Sequence, residues 1–315
     1  MTPAISWMSR VEAYLRYRRC YGFKLSIDAT QLRSFARFAD EVDTEDHLTV
    51  ALAIAWARSS KRPYPLTWAR RIEVLRGFAR YCLRDDPATE IPPQGLFGSA
   101  HRRLIPHIYT DAELSELLEA TSHLAPEHGL RPATCRCVFG LLASSGLRIS
   151  EALTLTRDDV NLATGILCIR ESKFHKQRLV PPHPSVTASM VTYAGWRDQL
   201  VTRTACDRFF LRDDGRPSSQ PSMLYALQTI CQQLGWQPRG DYPRHRLHDL
   251  RHTFIVRSTL RFYEQGIDVD HAVLTLSNYV GHAKVSDTYW YFTGIPELMA
   301  IAAERFHHYT QGAMR

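Results

Sequence analysis

Six breaker residues, Pro87, Pro92, Pro93, Gly95, Gly98 and Pro106, fall within residues 86–107 and interrupt an otherwise helical pattern of apolar spacing. Proline fixes φ and lacks a backbone donor, and glycine carries no bias toward a helix. No regular element runs through such a stretch, so the chain is predicted to fold as two units around it. Its 315 residues and 44% hydrophobic content suffice for two ordinary cores. The expected division is a helical domain over residues 1–92, a linker over 93–108 and a second domain over 109–315. His101, Arg102 and Arg103 make the linker basic, and no internal repeat is visible.

The first hundred residues read as four helices. Segments 5–22, 28–40 and 48–59 are periodic, and Leu32, Phe35, Ala36 and Ala39 form an i, i+3, i+4, i+7 stripe. Thr67 is expected to cap the fourth helix, whose buried side would carry Ile72, Leu75, Ala79 and Cys82. Arg70, Arg71, Arg76 and Arg80 lie largely elsewhere around it and suggest a basic face. In the second domain Thr110 and Glu113 make a capping box. Most of that domain again looks helical. The exception is 165–182, where strands Gly165–Arg170 and Gln177–Pro181 flank a turn over Ser172–Lys176. The expected fold class is therefore mainly α with a small antiparallel β-sheet.

The net charge of +7, largely from arginine, favours a polyanionic partner. The seven cysteines are odd in number and contain no C-x-x-C pair, so a zinc ribbon is not expected and reduced core cysteines are. No run of 18 apolar residues offers a membrane span. Residues 1–10 lack the cationic start and apolar run of a secretion signal, so the cytoplasm is the expected compartment.

Chemistry concentrates in a few polar residues set within packing motifs. Arg148 follows Gly146, which can end an apolar helix, and Ser150 can cap the next one. An arginine held at such a junction needs an anion or carbonyls for its five donors, or a structural partner such as Glu151. Lys173 and Lys176 occupy the hairpin turn, where an ammonium can reach a ligand and donate a proton. His248 and Arg251 stand at i, i+3 near a helix start, opposite Leu247, Leu250 and Phe254. His252 reads as a supporting or surface residue. His282 follows Gly281, a plausible C-cap. In the aromatic run that follows, Tyr289 and Tyr291 point roughly 200° apart on a helix of ~100° per residue, so only one can face a given site.

In order and context, GLRISEAL, SKFHKQRLVP, LHDLRHTF and YVGHAKVSDTYWYF resemble the four boxes of the tyrosine recombinases, the phage-integrase family. The resemblance covers roughly 110–295, and the N-terminal helical unit is similar to that family's core-binding domain. By position it implies that Arg148 and Arg251 clamp a phosphate, that His248 and His282 are the histidines of the second and third boxes, and that Lys173 is the hairpin lysine. It implies Tyr291 as the nucleophile, nine residues after His282, with Tyr289 and Lys176 as the less favoured substitutes.

The activity implied is site-specific DNA strand exchange without metal or cofactor, through a 3′-phosphotyrosyl intermediate and a free 5′-hydroxyl. In it His248 is the acid–base partner of Tyr291, His282 adds a hydrogen bond and Lys173 protonates the leaving oxygen. The partners implied are double-stranded DNA bearing recombination sites and a homo- or hetero-tetramer, with the two domains clamping the duplex. The aromatic context is more like integrases of mobile elements, and the apolar segment 295–306 could dock on a neighbouring protomer or pack in cis. Two other readings share the chemistry or the basic charge: relaxation by a type IB topoisomerase, and a non-catalytic DNA-binding accessory protein.

Overall fold

The computed structural model describes residues 6–23, 25–42, 47–61, 63–101, 104–170, 177–202, 206–282 and 284–289. The chain divides into two compact units, Met1–Arg103 and Leu104–Arg315.

The first unit is built from α1 (Trp7–Cys20), α2 (Ser26–Val42), α3 (Val50–Arg58) and α4 (Pro65–Cys82). Ser6 caps α1 and Thr49 caps α3 through their hydroxyls. Thr67, expected to cap the fourth helix, lies inside it. Pro65 opens α4, because its missing N–H costs nothing in a first turn. The Leu32, Phe35, Ala36 and Ala39 stripe is buried as its spacing predicts. Phe35 is the centre of the core, with the rings of Trp7, Trp56 and Phe78 edge-on at 5.5, 5.4 and 6.1 Å.

The arginines of α4 are not simply a solvated face. Arg71 donates to the Trp56 carbonyl at 2.7 Å and lies over its ring, and Arg76 donates to the Pro92 carbonyl. Residues following α4 also pack on this unit. Glu90 N donates to Leu48 O at 2.7 Å, and the Phe97 ring lies 5.4 Å from Trp68.

The second unit begins with α5 (Asp111–Ala120), opened by the expected Thr110–Glu113 capping box. It continues with α6 (Leu130–Ser145), α7 (Ile149–Thr154), β1 (Val160–Asn161), β2 (Ile166–Ile169) and β3 (Arg178–Val180). Then follow α8 (Pro184–Leu200), α9 (Gln220–Gln233), α10 (Leu247–Glu264), α11 (Val269–Val280) and α12 (Ser286–Tyr289). The three strands form an antiparallel sheet in the order β1-β2-β3, with Val160 opposite Leu167 and Ile169 opposite Arg178. β1 is an addition to the predicted hairpin; two residues are too few to leave a period in the sequence.

α6 runs through the middle of this unit, against α8 on one side and α10 on another. Ten of its 16 residues are buried, so Cys135 and Cys137 are both interior although they point apart. All seven cysteines are free. Cys82, Cys135, Cys137 and Cys231 are core residues as expected, whereas Cys20 is exposed and Cys168 and Cys206 are half-buried. No helix among the described residues is long and apolar enough to cross a membrane.

α6 ends at Gly146 in the left-handed region (φ 62°), where a Cβ would stand 2.4 Å from Phe254 Cδ1 on α10. Gly146→Ala is therefore expected to lower stability by about 2 kcal/mol or more, from the left-handed cost and overpacking together. A denaturant midpoint unchanged from the parent would refute this.

Candidate active site

Three helix ends meet in the second unit. α6 and α11 both finish with left-handed glycines, Gly146 and Gly281, and α10 starts beside them. A helix C-terminus exposes carbonyls without helical partners and carries the negative end of the dipole. Arg251, one turn into α10 and 1% exposed, answers both ends at once. Its Nη1 donates to Gly146 O at 2.6 Å and its Nη2 to Val280 O at 2.9 Å.

Arg148 is the N-cap of α7. Ser150, expected in that role, lies within the helix, because the Glu151 carboxylate already takes the Arg148 N–H at 2.9 Å. The Arg148 side chain donates Nη1 to Glu151 Oε1 at 2.7 Å and Nη2 to Gly281 O at 2.9 Å. Both the carbonyl and the Glu151 partnership foreseen for it are thus present. The two arginines grip successive carbonyls, Val280 and Gly281, at one end of α11.

The histidines stand around this pair. His248 keeps solvent contact, yet protein crowds its ring; that crowding, then the charges of Arg251, Arg246, Arg148 and His282, pushes its pKa down to about 3. His282 is half-buried; burial, then Arg251 and Arg148, holds it down at about 4 against the opposing pull of Asp287. Its Nδ1 is 2.7 Å from Thr288 Oγ1 on α12, and its backbone N–H donates to Ser277 O, so both ring and backbone are fixed. His252 is buried rather than on the surface, with its ring edge-on to His248 at 4.5 Å. The shifts of His248 and His282 both favour the neutral imidazole, whose unprotonated ring nitrogen can accept a hydrogen bond.

Two further groups organise the site and were not singled out from the sequence. Arg178, at the start of β3, makes a two-pronged pair with Glu151, which is 3% exposed. Strand parity could have found it: Arg178 shares a face with buried Val180, while Leu179 between them is 65% exposed. At the start of α10, Asp249 accepts from the Arg246 backbone N–H at 2.9 Å and also pairs with its guanidinium. Arg148, Arg178, Arg246 and Arg251 outnumber the carboxylates Glu151 and Asp249, so the cluster is suited to an anion.

Lys173, Lys176 and Tyr291 lie outside the described residues. Tyr289 is within them. It is exposed, and its hydroxyl donates to Asp270 Oδ1 at 3.1 Å. Asp270 is in the first turn of α11, whereas the clamp sits at the other end, roughly 15 Å away at ~1.5 Å per residue. Among the described residues no group of three or more His, Cys, Asp or Glu side chains is placed to hold a metal ion.

Burial of neutral histidines makes stability depend on pH. His107, 1% exposed, is also pushed down, to about 4, by burial and then by His245 and Arg239. Folded pKa values below the ordinary 6.5 mean that the unfolded chain binds more protons, so stability is complete above that value and is lost as pH falls toward about 4. His271 shifts the opposite way, but it is fully exposed and its contribution is screened. The urea midpoint is expected to fall between pH 7.5 and 5, less steeply in His107→Gln. Parallel profiles for the two proteins would remove His107 from the account.

The chain matches the family model described as "Phage integrase family" over residues 108–294. It is 38% identical to the protein named integrase/recombinase y4rB of Sinorhizobium fredii, over 94% of this chain and 95% of that one. It is 27% identical to tyrosine recombinase XerC of Chlamydia pneumoniae, over 82% of this chain and 77% of that one. Among solved structures its fold is similar to the Tn1549 transposon integrase in complex with transposon right end DNA. That match has a TM-score of 0.70 and 15% identity and covers 96% of this chain and 99% of that one. It is also similar to XerH bound to a palindromic difH substrate, with a TM-score of 0.67 and 17% identity over 95% and 85% of the two chains.

Proposed function

This chain belongs to the phage integrase family, and from that premise we propose that it is a tyrosine-type site-specific recombinase acting on double-stranded DNA. One observation carries the reading at the level of atoms. Arg148, at the start of α7, and Arg251, on the helix that carries His248, are locked onto adjacent carbonyls at the end of α11 beside His282. Donors fixed in advance neutralise developing charge without having to reorganise, which is often the largest catalytic term.

Tyr291 Oη attacks the scissile phosphorus. The new P–Oη bond forms as the P–O5′ bond breaks, which leaves a 3′-phosphotyrosyl enzyme and a 5′-hydroxyl. His248 takes the phenolic proton, and Lys173 supplies one to the departing oxygen. Arg148 and Arg251 hold the non-bridging oxygens, and His282 adds a hydrogen bond. The phosphate brings negative charge into a cationic cluster and raises both imidazoles from their low values toward a useful range. Attack by the 5′-hydroxyl of a second strand reverses the step with no net loss of phosphodiester bonds, so rejoining needs no separate energy source.

In this reading residues 1–92 are a core-binding domain, 93–108 a linker and 109–315 the catalytic domain, and the protein works in the cytoplasm as a tetramer on two duplexes. The integrase/recombinase and transposon-integrase relatives favour integration or excision of a mobile element as its task. The test is a duplex nicked just beyond the scissile phosphate, from which the short 5′-hydroxyl fragment diffuses away. A covalent protein–DNA complex attached at a 3′-phosphate is expected, and recombinant products or Holliday junctions from two site-bearing duplexes. Relaxation of supercoils without either product would favour the topoisomerase reading instead.

A further inference from the structure

Glu151 is a buried carboxylate shared by two guanidiniums. Arg148 donates Nη1 to its Oε1 at 2.7 Å, and Arg178 donates Nη1 to Oε1 at 3.1 Å and Nη2 to Oε2 at 2.8 Å. These charges, after opposition from burial, keep the Glu151 carboxyl below its ordinary pKa, so it is ionised at neutral pH.

Arg178 reaches further than this pair. Its Nε donates to Tyr279 O at 3.0 Å, near the end of α11. Its guanidinium lies against Gly281, where a Cβ would be 2.7 Å from Nη1 and 2.9 Å from Cζ. A single side chain therefore touches both supports of Arg148: the carboxylate that orients it and the helix end whose Gly281 carbonyl accepts from it. Ladder pairing opposite Ile169 fixes where that side chain starts. The mechanism given above assigns it no step.

The charge count gives the arrangement a purpose. A carboxylate paired with Arg148 alone would orient it but also neutralise it, and would compete with the phosphate for its donors. A second guanidinium on the same carboxylate absorbs part of that charge, and the separation of charges at hydrogen-bond distance makes the effect large. We propose that Arg178 is a positioning residue for the phosphate clamp: by sharing Glu151 it lets that carboxylate orient Arg148 without cancelling its charge. The inference rests on the strand-cleavage reading.

The test uses the full-length protein and two nicked DNA duplexes. One carries the ordinary scissile phosphodiester. In the other a methylphosphonate replaces it, so the charge that Arg148 answers is absent. On the phosphodiester, Arg178→Met is expected to slow single-turnover covalent complex formation by about 10–100-fold, the scale of a misplaced positioning contact. DNA affinity should stay within about threefold, because the distant backbone contacts that dominate it are untouched. On the methylphosphonate the deficit, relative to the parent protein on that substrate, is expected to shrink to about threefold or less, since a neutral centre needs less of Arg148's charge. Arg178→Lys should recover part of the phosphodiester rate, having the charge but not the two-pronged fork.

Removing Arg178 alone leaves a buried carboxylate with one partner fewer and can unfold the protein. Arg178→Met with Glu151→Gln removes both charges and covers that case; its phosphodiester deficit should be smaller than that of Arg178→Met alone. Equal deficits on the two substrates would reduce Arg178 to a general structural role and overturn the proposal. So would a phosphodiester rate within about twofold of the parent's in Arg178→Met, where no perturbation of the clamp would be visible. Failure of the cleavage reading itself looks different: the parent protein would then form no covalent complex on either substrate.

Discussion

Tyr291→Phe is expected to abolish the covalent complex on a nicked duplex while leaving DNA affinity within about threefold, since DNA contacts are dominated by the phosphate backbone. The substitution removes one oxygen and keeps the ring. A phenol serves here because its anion is both a competent nucleophile and a leaving group good enough for rejoining. Its ordinary pKa of about 10 means that it must lose a proton during attack, and a neutral His248 can take it. The neighbouring tyrosine is not expected to substitute, because the Tyr289 hydroxyl is bonded to Asp270 at the far end of α11 from the arginine clamp. That bond also raises its pKa, the reverse of activation. Gel mobility after denaturation measures the complex directly. Undiminished complex in Tyr291→Phe, lost only on adding Tyr289→Phe, would move the nucleophile to the earlier residue.

Arg251→Ala should be nearly as severe for a different reason. Its guanidinium is a structural clasp and, in the proposed function, a phosphate ligand as well. Removal takes a donor from Gly146 O and another from Val280 O in a part of the protein where the side chain is 1% exposed. Lost hydrogen bonds to buried carbonyls and the cavity left behind should cost about 2–5 kcal/mol of stability. At a temperature where circular dichroism shows the variant folded, cleavage should still be slower by about 10²–10³, the usual cost of losing a fixed donor to the reacting centre. Arg251→Lys separates the two effects. It retains charge but cannot span two carbonyls, so rate should recover more than stability. A variant that is folded and cleaves within tenfold of the parent would show that Arg251 serves the helix ends alone.

The motifs were legible because each is short and continuous. Gly146 and Gly281 were recognisable as helix ends, and the Thr110–Glu113 box as a helix start, because local backbone chemistry decides them. His248 and Arg251 fell on one face because 3.6 residues make a turn. The misreadings were also local and had local causes. Thr67 and Ser150 are good capping residues, but Pro65 and the Glu151 carboxylate had already met the needs of those helix starts. β1 was too short to carry a pattern.

What the sequence determined by itself was the two-unit organisation, the mainly helical fold class with its hairpin, and the set of residue types able to hold and attack a phosphodiester. These follow from periodicity, breakers and motif order, all of which act over a few residues. Only the tertiary structure decided how that set is held. Arg148 and Gly281 are 133 positions apart and Arg251 and Gly146 are 105 apart, yet each pair is joined by one hydrogen bond. No spacing rule reaches across such distances. The clamp exists because two helix C-termini with unsatisfied carbonyls are brought to the start of a third, and guanidiniums are the groups that can satisfy them and still carry charge toward a ligand.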